Sequence, residues 1–351
     1  MIELIIVLVA GGATCVFILG YRKYAYRLDL LDYPGGHKLH GEPTPLVGGL
    51  AMFSGFFVTL LILPLQLSDY RSLFAASVLL VVVGVLDDLH ELSSWARFVA
   101  QIGAALLMCY WGGVIIYDLG ALVGDSIVVM GYWAIPFTIF STVGVINAIN
   151  MSDGMNGQAG GLSLVAVISL IVLSILGSRI GEVMLLFVLV GVIVAFLAFN
   201  LKSPLLRKVV FMGDAGSLFI GFMLTWFLIT LSQGDNRIVS PVSALWILAV
   251  PLLDTVGIMF HRLLKLQSPF RSDRMHIHHI LQNMGLSANT AMIGLIAASI
   301  VLSGFGIYGY VVQLAESTML NIFLVLFAFY YSVMSYLWAR FGSSDLIAKT
   351  G

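Results

Sequence analysis

Long apolar runs alternate with short polar connections through the 351 residues. Eleven runs have the length to cross a ~30 Å hydrocarbon core as helices. They lie at roughly 2–20, 46–67, 72–87, 95–113, 131–149, 161–177, 183–200, 215–232, 240–262, 290–312 and 318–339. The first lacks a basic leader and a small-residue cleavage site before Tyr21, so it is expected to stay as a span. The pattern predicts an all-α polytopic membrane protein of about eleven transmembrane helices, in one domain covering 1–351.

Composition supports the class: 60% of residues are hydrophobic and 10% charged, against roughly 45–50% apolar in soluble domains. Charge adds direction. On alternate sides of the eleven-span pattern, fourteen Lys and Arg residues fall on one side. Only Arg71, Arg179 and Arg237 fall on the other. The positive-inside rule then places the N-terminus outside and the C-terminus in the cytoplasm. All seven histidines share the cytoplasmic side. The net charge of −1 says nothing further about partners; the bilayer is the partner composition demands, and no nucleic-acid partner is expected. A homodimer is left open. Cys15 and Cys109 lie within spans, so neither a disulfide framework nor a thiolate metal site is expected.

Unusual polar residues collect in the cytoplasmic connections. In "VLDDLHELSSWAR", Asp87, Asp88 and Glu91 end the third span. One acid at a helix centre costs ~2.5–3.5 kcal/mol, so this group belongs at an interface or in a wet cavity. It reads either as a solvated helix end or as carboxylates for Mg²⁺, which prefers oxygen ligands. In "VVFMGDAGSLFIGF", Asp214 opens the eighth span, as a simple cap or as part of a site for a metal-bound phosphate. "PFRSDRMHIHHILQNMG" gathers Arg271, Arg274, His276, His278 and His279 in the connection 263–289. Arginine forks with imidazoles suit a pyrophosphate, zinc ligation is the competing chemistry, and a plain positive loop is the third reading. "GHKLHGEPTPLVGG" offers a shaped loop with Lys38 and His40. In "NAINMSDGMNG", Asn147, Asn150, Asp153 and Asn156 recur every three residues along a helix end, where Gly154 and Gly157 stop it.

"TPLVGG", "LDDLHE", "NAINMSDGMNGQAGGLS", "FMGDAGS" and "DRMHIHH" occur here in the order found in the polyprenyl-phosphate N-acetylhexosamine-1-phosphate transferases. Most of the chain resembles that family, and "SPVSALWILAVPLLD" and "SPFRSDRMHIHHIL" are similar to its WecA-type branch rather than its MraY-type branch. The resemblance implies transfer of GlcNAc-1-phosphate from UDP-GlcNAc to undecaprenyl phosphate, giving UMP and the first intermediate of a lipid-linked surface polysaccharide. It implies a bacterial cytoplasmic membrane and Mg²⁺, with Mn²⁺ able to substitute.

By the same resemblance, Asp214 and Asn150 are expected at the metal, and Phe211, Asn156 and Asp153 at the nucleotide. Arg274, His276, His278 and His279 are expected at the diphosphate and sugar, making 263–289 a substrate-binding loop. Arg97 and Lys38 are expected at the lipid phosphate, and Asp87, Asp88 and Asp153 in catalysis. Relatives usually carry DGxDG where this chain has DGMNG, so Asn156 keeps a hydrogen-bonding edge but no charge. Within this chemistry two routes stay open: direct attack by the lipid phosphate, or a covalent intermediate on an aspartate. Another N-acetylhexosamine donor is a further alternative. A lipid-sugar transporter is the rival of a different class, and it would need charges near the bilayer midplane.

Overall fold

The computed structural model describes residues 1–33, 43–64, 66–124, 126–178, 180–201, 209–234, 237–268 and 275–341. Its helices are α1 (Ile2–Leu28), α2 (Gly48–Leu60), α3 (Arg71–His90), α4 (Ser94–Leu106), α5 (Ala134–Met151), α6 (Gln158–Leu176) and α7 (Ile180–Asn200). They continue as α8 (Gly213–Ser232), α9 (Pro241–Ile247), α10 (Ala249–Leu264), α11 (Ile277–Asn283), α12 (Ala288–Val311) and α13 (Glu316–Phe341). Among the described residues, sheet is confined to one antiparallel ladder that pairs Leu31 with Pro45 and Asp32 with Thr44.

Among the described residues, eight helices (α1, α3, α5, α6, α7, α8, α12 and α13) are long and apolar enough to cross a membrane. The expected all-α polytopic architecture is therefore present, but three of the eleven expected runs take other forms. The run 46–67 gives only the 13-residue α2, because Pro64 cannot continue a helix and biases the residue before it toward extended backbone. The run 95–113 gives α4 followed by a π-turn over Leu107–Trp111. The run 240–262 breaks between α9 and α10 with an 87° bend. Pro251 explains the break: its ring would strike the carbonyl of Ile247, four residues earlier, where α9 ends.

The apolar stretch of α8 is 94% buried and that of α13 only 17% buried, so α8 is the axis and α13 the rim. Around α8 pack α2, α3, α5 and α6, while α1 lies against α2 and α7. Outward residues such as Leu8, Val16, Ile300, Val325 and Phe329 remain exposed and apolar, as lipid contact requires. Lipid is as apolar as leucine, so close packing rather than water exclusion must hold such helices together. At Gly84 of α3, an added Cβ would strike the Ala215 backbone and come within 2.8 Å of the Asp214 carbonyl carbon. At Gly49 of α2 it would strike Gly216 and come within 2.8 Å of the Ala215 carbonyl carbon. These two contacts bring α2 and α3 onto the first turn of α8.

Candidate active site

The first turn of a helix leaves amides without partners and carries partial positive charge. At α8 the acceptor comes from another helix. Asp88, near the end of α3, accepts the Asp214 N–H through Oδ1 at 2.8 Å and approaches the Ala215 N–H with Oδ2 at 3.4 Å. Gly213 enters this turn at φ 69°, a conformation that disfavours any side chain. The preceding segment is clamped by the "TPLVGG" stretch. Phe211 N–H donates to the Pro45 carbonyl, and the Phe211 and Met212 carbonyls accept from Gly48 and Gly49, each at 2.9 Å. Asp214 is thus fixed in position by backbone bonds on both sides.

Asp87 is 5% exposed. A buried carboxylate needs a partner, and α4 supplies it. Ser93 caps α4 by accepting from Ala96, and one turn in, Arg97 donates through Nη1 to Asp87 Oδ2 at 3.0 Å. The same nitrogen lies 3.7 Å from Asp214 Oδ2, and the Asp87 and Asp214 side chains are within hydrogen-bonding reach of each other. One guanidinium therefore joins carboxylates of α3 and α8, with Asp88 immediately behind them.

From α5, Asn150 donates through Nδ2 to Asp214 Oδ1 and to Ser217 Oγ, the latter at 2.8 Å. It meets the expected metal ligand with its donor, so its visible contact is to orient the Asp214 carboxylate. The expected helical run of polar residues stops early, because α5 ends at Met151. Asn147 donates to Gln101 of α4 at 2.7 Å, while Asp153 and Asn156 lie in the loop beyond the helix. Burial first, and the Asp214 charge second, push the Asp153 carboxyl up to about 7.

Asn200, to which the sequence pattern assigns no role, joins this loop to the Phe211 segment. It accepts from Gly157 N–H at 2.6 Å and donates to the Val210 carbonyl at 2.9 Å. Its one signal in the sequence is a single amide ending the apolar run "VIVAFLAFN".

The histidine cluster arrives on α11, so the connection 263–289 contains a short helix. His278 is 1% exposed, and its ring lies against Gly154: a Cβ there would overlap Nε2. Both its ring nitrogens are buried without a hydrogen-bond partner among the described residues. Burial, reinforced by His279, pushes its pKa down to about 3, so the ring is neutral. His279 packs beside it with ring centroids 4.1 Å apart, and the His276 ring lies nearly parallel to it at 5.8 Å and 11°. His276 itself is bonded to Asp254 of α10 at 2.8 Å, a second residue to which the sequence pattern gives no role.

Asp87, Asp88, Arg97, Asn150 and Asp214 are thus brought into one cluster. Asp153 couples to it electrostatically, and His278 reaches the Asp153–Asn156 loop through Gly154. Phe211 sits three residues before Asp214 on the clamped segment. Lys38 and Arg274 lie outside the described residues. Chemically, the cluster sets several carboxylates against one guanidinium at the shared ends of α3, α5 and α8.

Known proteins match this chain over the same elements. Residues 70–232, from the start of α3 to the end of α8, match glycosyl transferase family 4. The chain is 35% identical to an undecaprenyl-phosphate alpha-N-acetylglucosaminyl 1-phosphate transferase of Yersinia pestis, over 93% of this chain and 90% of that protein. The protein of the same name from Escherichia coli K12 is 34% identical over the same shares, and that of Haemophilus influenzae is 35% identical over 90% of each chain. At that identity over nearly the whole length, the chain belongs to glycosyl transferase family 4.

Proposed function

We propose that this protein transfers GlcNAc-1-phosphate from UDP-GlcNAc to undecaprenyl phosphate, releasing UMP. The observation that carries the reading is the Asp87–Arg97–Asp214 bridge, set beside the amide-anchored first turn of α8. The names of the relatives supply the substrates. Transfer between two phosphates calls for charge neutralisation and alignment more than for covalent chemistry. The lipid phosphate has a second pKa near ~6 and is already mostly a dianion at neutral pH.

In the direct route, a lipid-phosphate oxygen attacks the β-phosphorus of the donor while that phosphorus's bond to the α-phosphate bridge breaks, leaving UMP. Arg97 holds the incoming phosphate at the Asp87 end of the cluster. Asp87 takes whatever proton the phosphate retains, and Asp88 keeps Asp214 and the α8 amides in place. Asn156 and Phe211 hold the uracil, with Asn200 fixing the spacing between their two segments. His278 has two nitrogens beside Gly154 that are unmet among the described residues; a sugar hydroxyl can satisfy either one, and a phosphate oxygen the one that carries the proton. Lys38 and Arg274 complete the two phosphate sites.

The donor set fits Mg²⁺. Among the described residues no three His, Cys, Asp or Glu side chains form a closed metal cluster. Mg²⁺ needs only one or two carboxylates, since it completes its shell from substrate phosphates and water. Asp214 would hold it, with Asn150 steering Asp214 and able to offer its own oxygen. Bound there, the ion would supply Lewis-acid neutralisation of phosphoryl charge, and Mn²⁺ would suit the same oxygen donors.

The lysine and arginine bias supports a cytoplasmic face for this cluster and an external N-terminus, and the bacterial relatives support a location in the bacterial cytoplasmic membrane. UMP release by purified protein tests the proposal. Release that requires UDP-GlcNAc, undecaprenyl phosphate and Mg²⁺ together supports it. No release with any UDP-N-acetylhexosamine and lipid phosphate overturns it.

A further inference from the structure

Asp254 is 4% exposed and sits in α10 just past the 87° bend. Three groups from two other elements converge on its carboxylate. Oδ1 accepts the Ile277 N–H that opens α11 at 2.9 Å and the Tyr330 hydroxyl of α13 at 3.0 Å. Oδ2 lies 2.8 Å from His276 Nδ1. Ile277 N–H can only donate, and the imidazole must donate as well if it faces an ionised carboxylate, which has acceptors alone.

We propose that Asp254 is the positioning residue of the histidine cluster: it holds the His276 proton on Nδ1 and turns Nε2 toward the donor's diphosphate and sugar. The second ring nitrogen is the only one left for a ligand, so Asp254 decides which atom the substrate meets and in which tautomer. Tyr330 and the Ile277 amide hold the carboxylate so that Oδ2, and not Oδ1, faces the ring. The stacking of His276 on His278, which lies against Gly154, carries this alignment to the DGMNG loop. The inference rests on the transferase reading for its substrate, but the bonding pattern stands apart from it.

Asp254→Asn separates positioning from folding. An asparagine oxygen in the Oδ1 place keeps Ile277 and Tyr330, whereas its NH₂ faces His276 Nδ1 and forces that nitrogen to accept. The proton then moves to Nε2. The first readout is ¹⁵N NMR of histidine-labelled protein, with His276 assigned by its loss in His276→Ala. Wild type should show Nδ1 protonated, and Asp254→Asn should show the neutral ring with Nε2 protonated. An unchanged ring signal overturns the proposal.

The second readout is UMP release. Asp254→Asn should lower kcat/KM for UDP-GlcNAc roughly 10- to 100-fold, as loss of an orienting partner does elsewhere, while KM for undecaprenyl phosphate stays unchanged. In a His276→Ala background it should add nothing; additive losses overturn the proposal. If Asp254→Asn does not fold, Tyr330→Phe replaces it in the same cycle: a loss that vanishes in the His276→Ala background supports the proposal, and an additive loss overturns it. Should wild type release no UMP, the transferase reading fails and the NMR comparison still decides the dyad.

Discussion

Asp88 accepts the backbone N–H of Asp214 at 2.8 Å across 126 residues of chain, so the acidic pair of α3 has divided roles. Asp87 faces Arg97, and Asp88 closes the N-terminus of α8. Asp88→Ala should cost about 1–2 kcal/mol of stability, as removal of a helix cap does, and should also release Asp214 from its place. Asp88→Asn retains an oxygen for the Asp214 amide and should keep most of the stability. Thermal unfolding in detergent beside UMP release checks both, and equal melting of wild type and Asp88→Ala would show that the amide contact contributes nothing.

The approach of α3 to α8 depends on Gly84. An added methyl there meets backbone atoms of Ala215 and Asp214, which cannot swing aside as a side-chain tip can. Gly84→Ala should destabilise by about 1–3 kcal/mol, the usual range for overpacking. It should also depress turnover, because the displaced helix carries Asp88. A melting temperature equal to wild type would mean that the two helices have room the structure does not show.

Much of the site is legible in the sequence itself. Asp87, Asp88, Asn150 and Asp214 stand out because each is polar at the end of an apolar run, and a bilayer tolerates such residues only at its edges or in a protein-lined site. Asp254 and Gln101 escape notice because each lies inside a run, where only the three-dimensional partner shows why a polar group is tolerated. The break between α9 and α10 is written in Pro251, but hydropathy is blind to it: the apolar count runs through the bend unchanged. Asn147 shows the opposite error, since regular spacing puts it with Asn150 whereas the helix turns it toward α4.

Asp153 gives the site a pH signature. Its folded pKa of about 7 lies above the ordinary ~3.9 of an unfolded aspartate. Between those values the folded chain holds a proton that the unfolded chain has lost. The stabilisation from that proton is therefore complete below about pH 4 and disappears as pH rises through about 7. Melting of metal-free protein between pH 4 and 8 should show stability falling with pH from this group, and Asp153→Asn should flatten that fall. An identical slope in the variant would assign the titration to another residue.

Arg97 offers the sharpest test of how the cluster divides its work. It is about a third exposed and its partner Asp87 nearly buried, so removing the guanidinium strands a carboxylate more than it exposes a cation. Stranding a buried charge costs about 3–5 kcal/mol in the fully buried limit, and the open side of Arg97 lowers that figure. Arg97→Ala should therefore lower stability modestly, raise KM for undecaprenyl phosphate at least tenfold and leave KM for UDP-GlcNAc nearly unchanged. Arg97→Lys keeps the charge but loses the planar fork that lets one side chain address Asp87, Asp214 and a phosphate together, and should restore activity only in part. The comparison is steady-state kinetics with each substrate varied in turn. A rise confined to KM for UDP-GlcNAc would move Arg97 from the lipid phosphate to the nucleotide diphosphate, and with it the direction from which the acceptor enters.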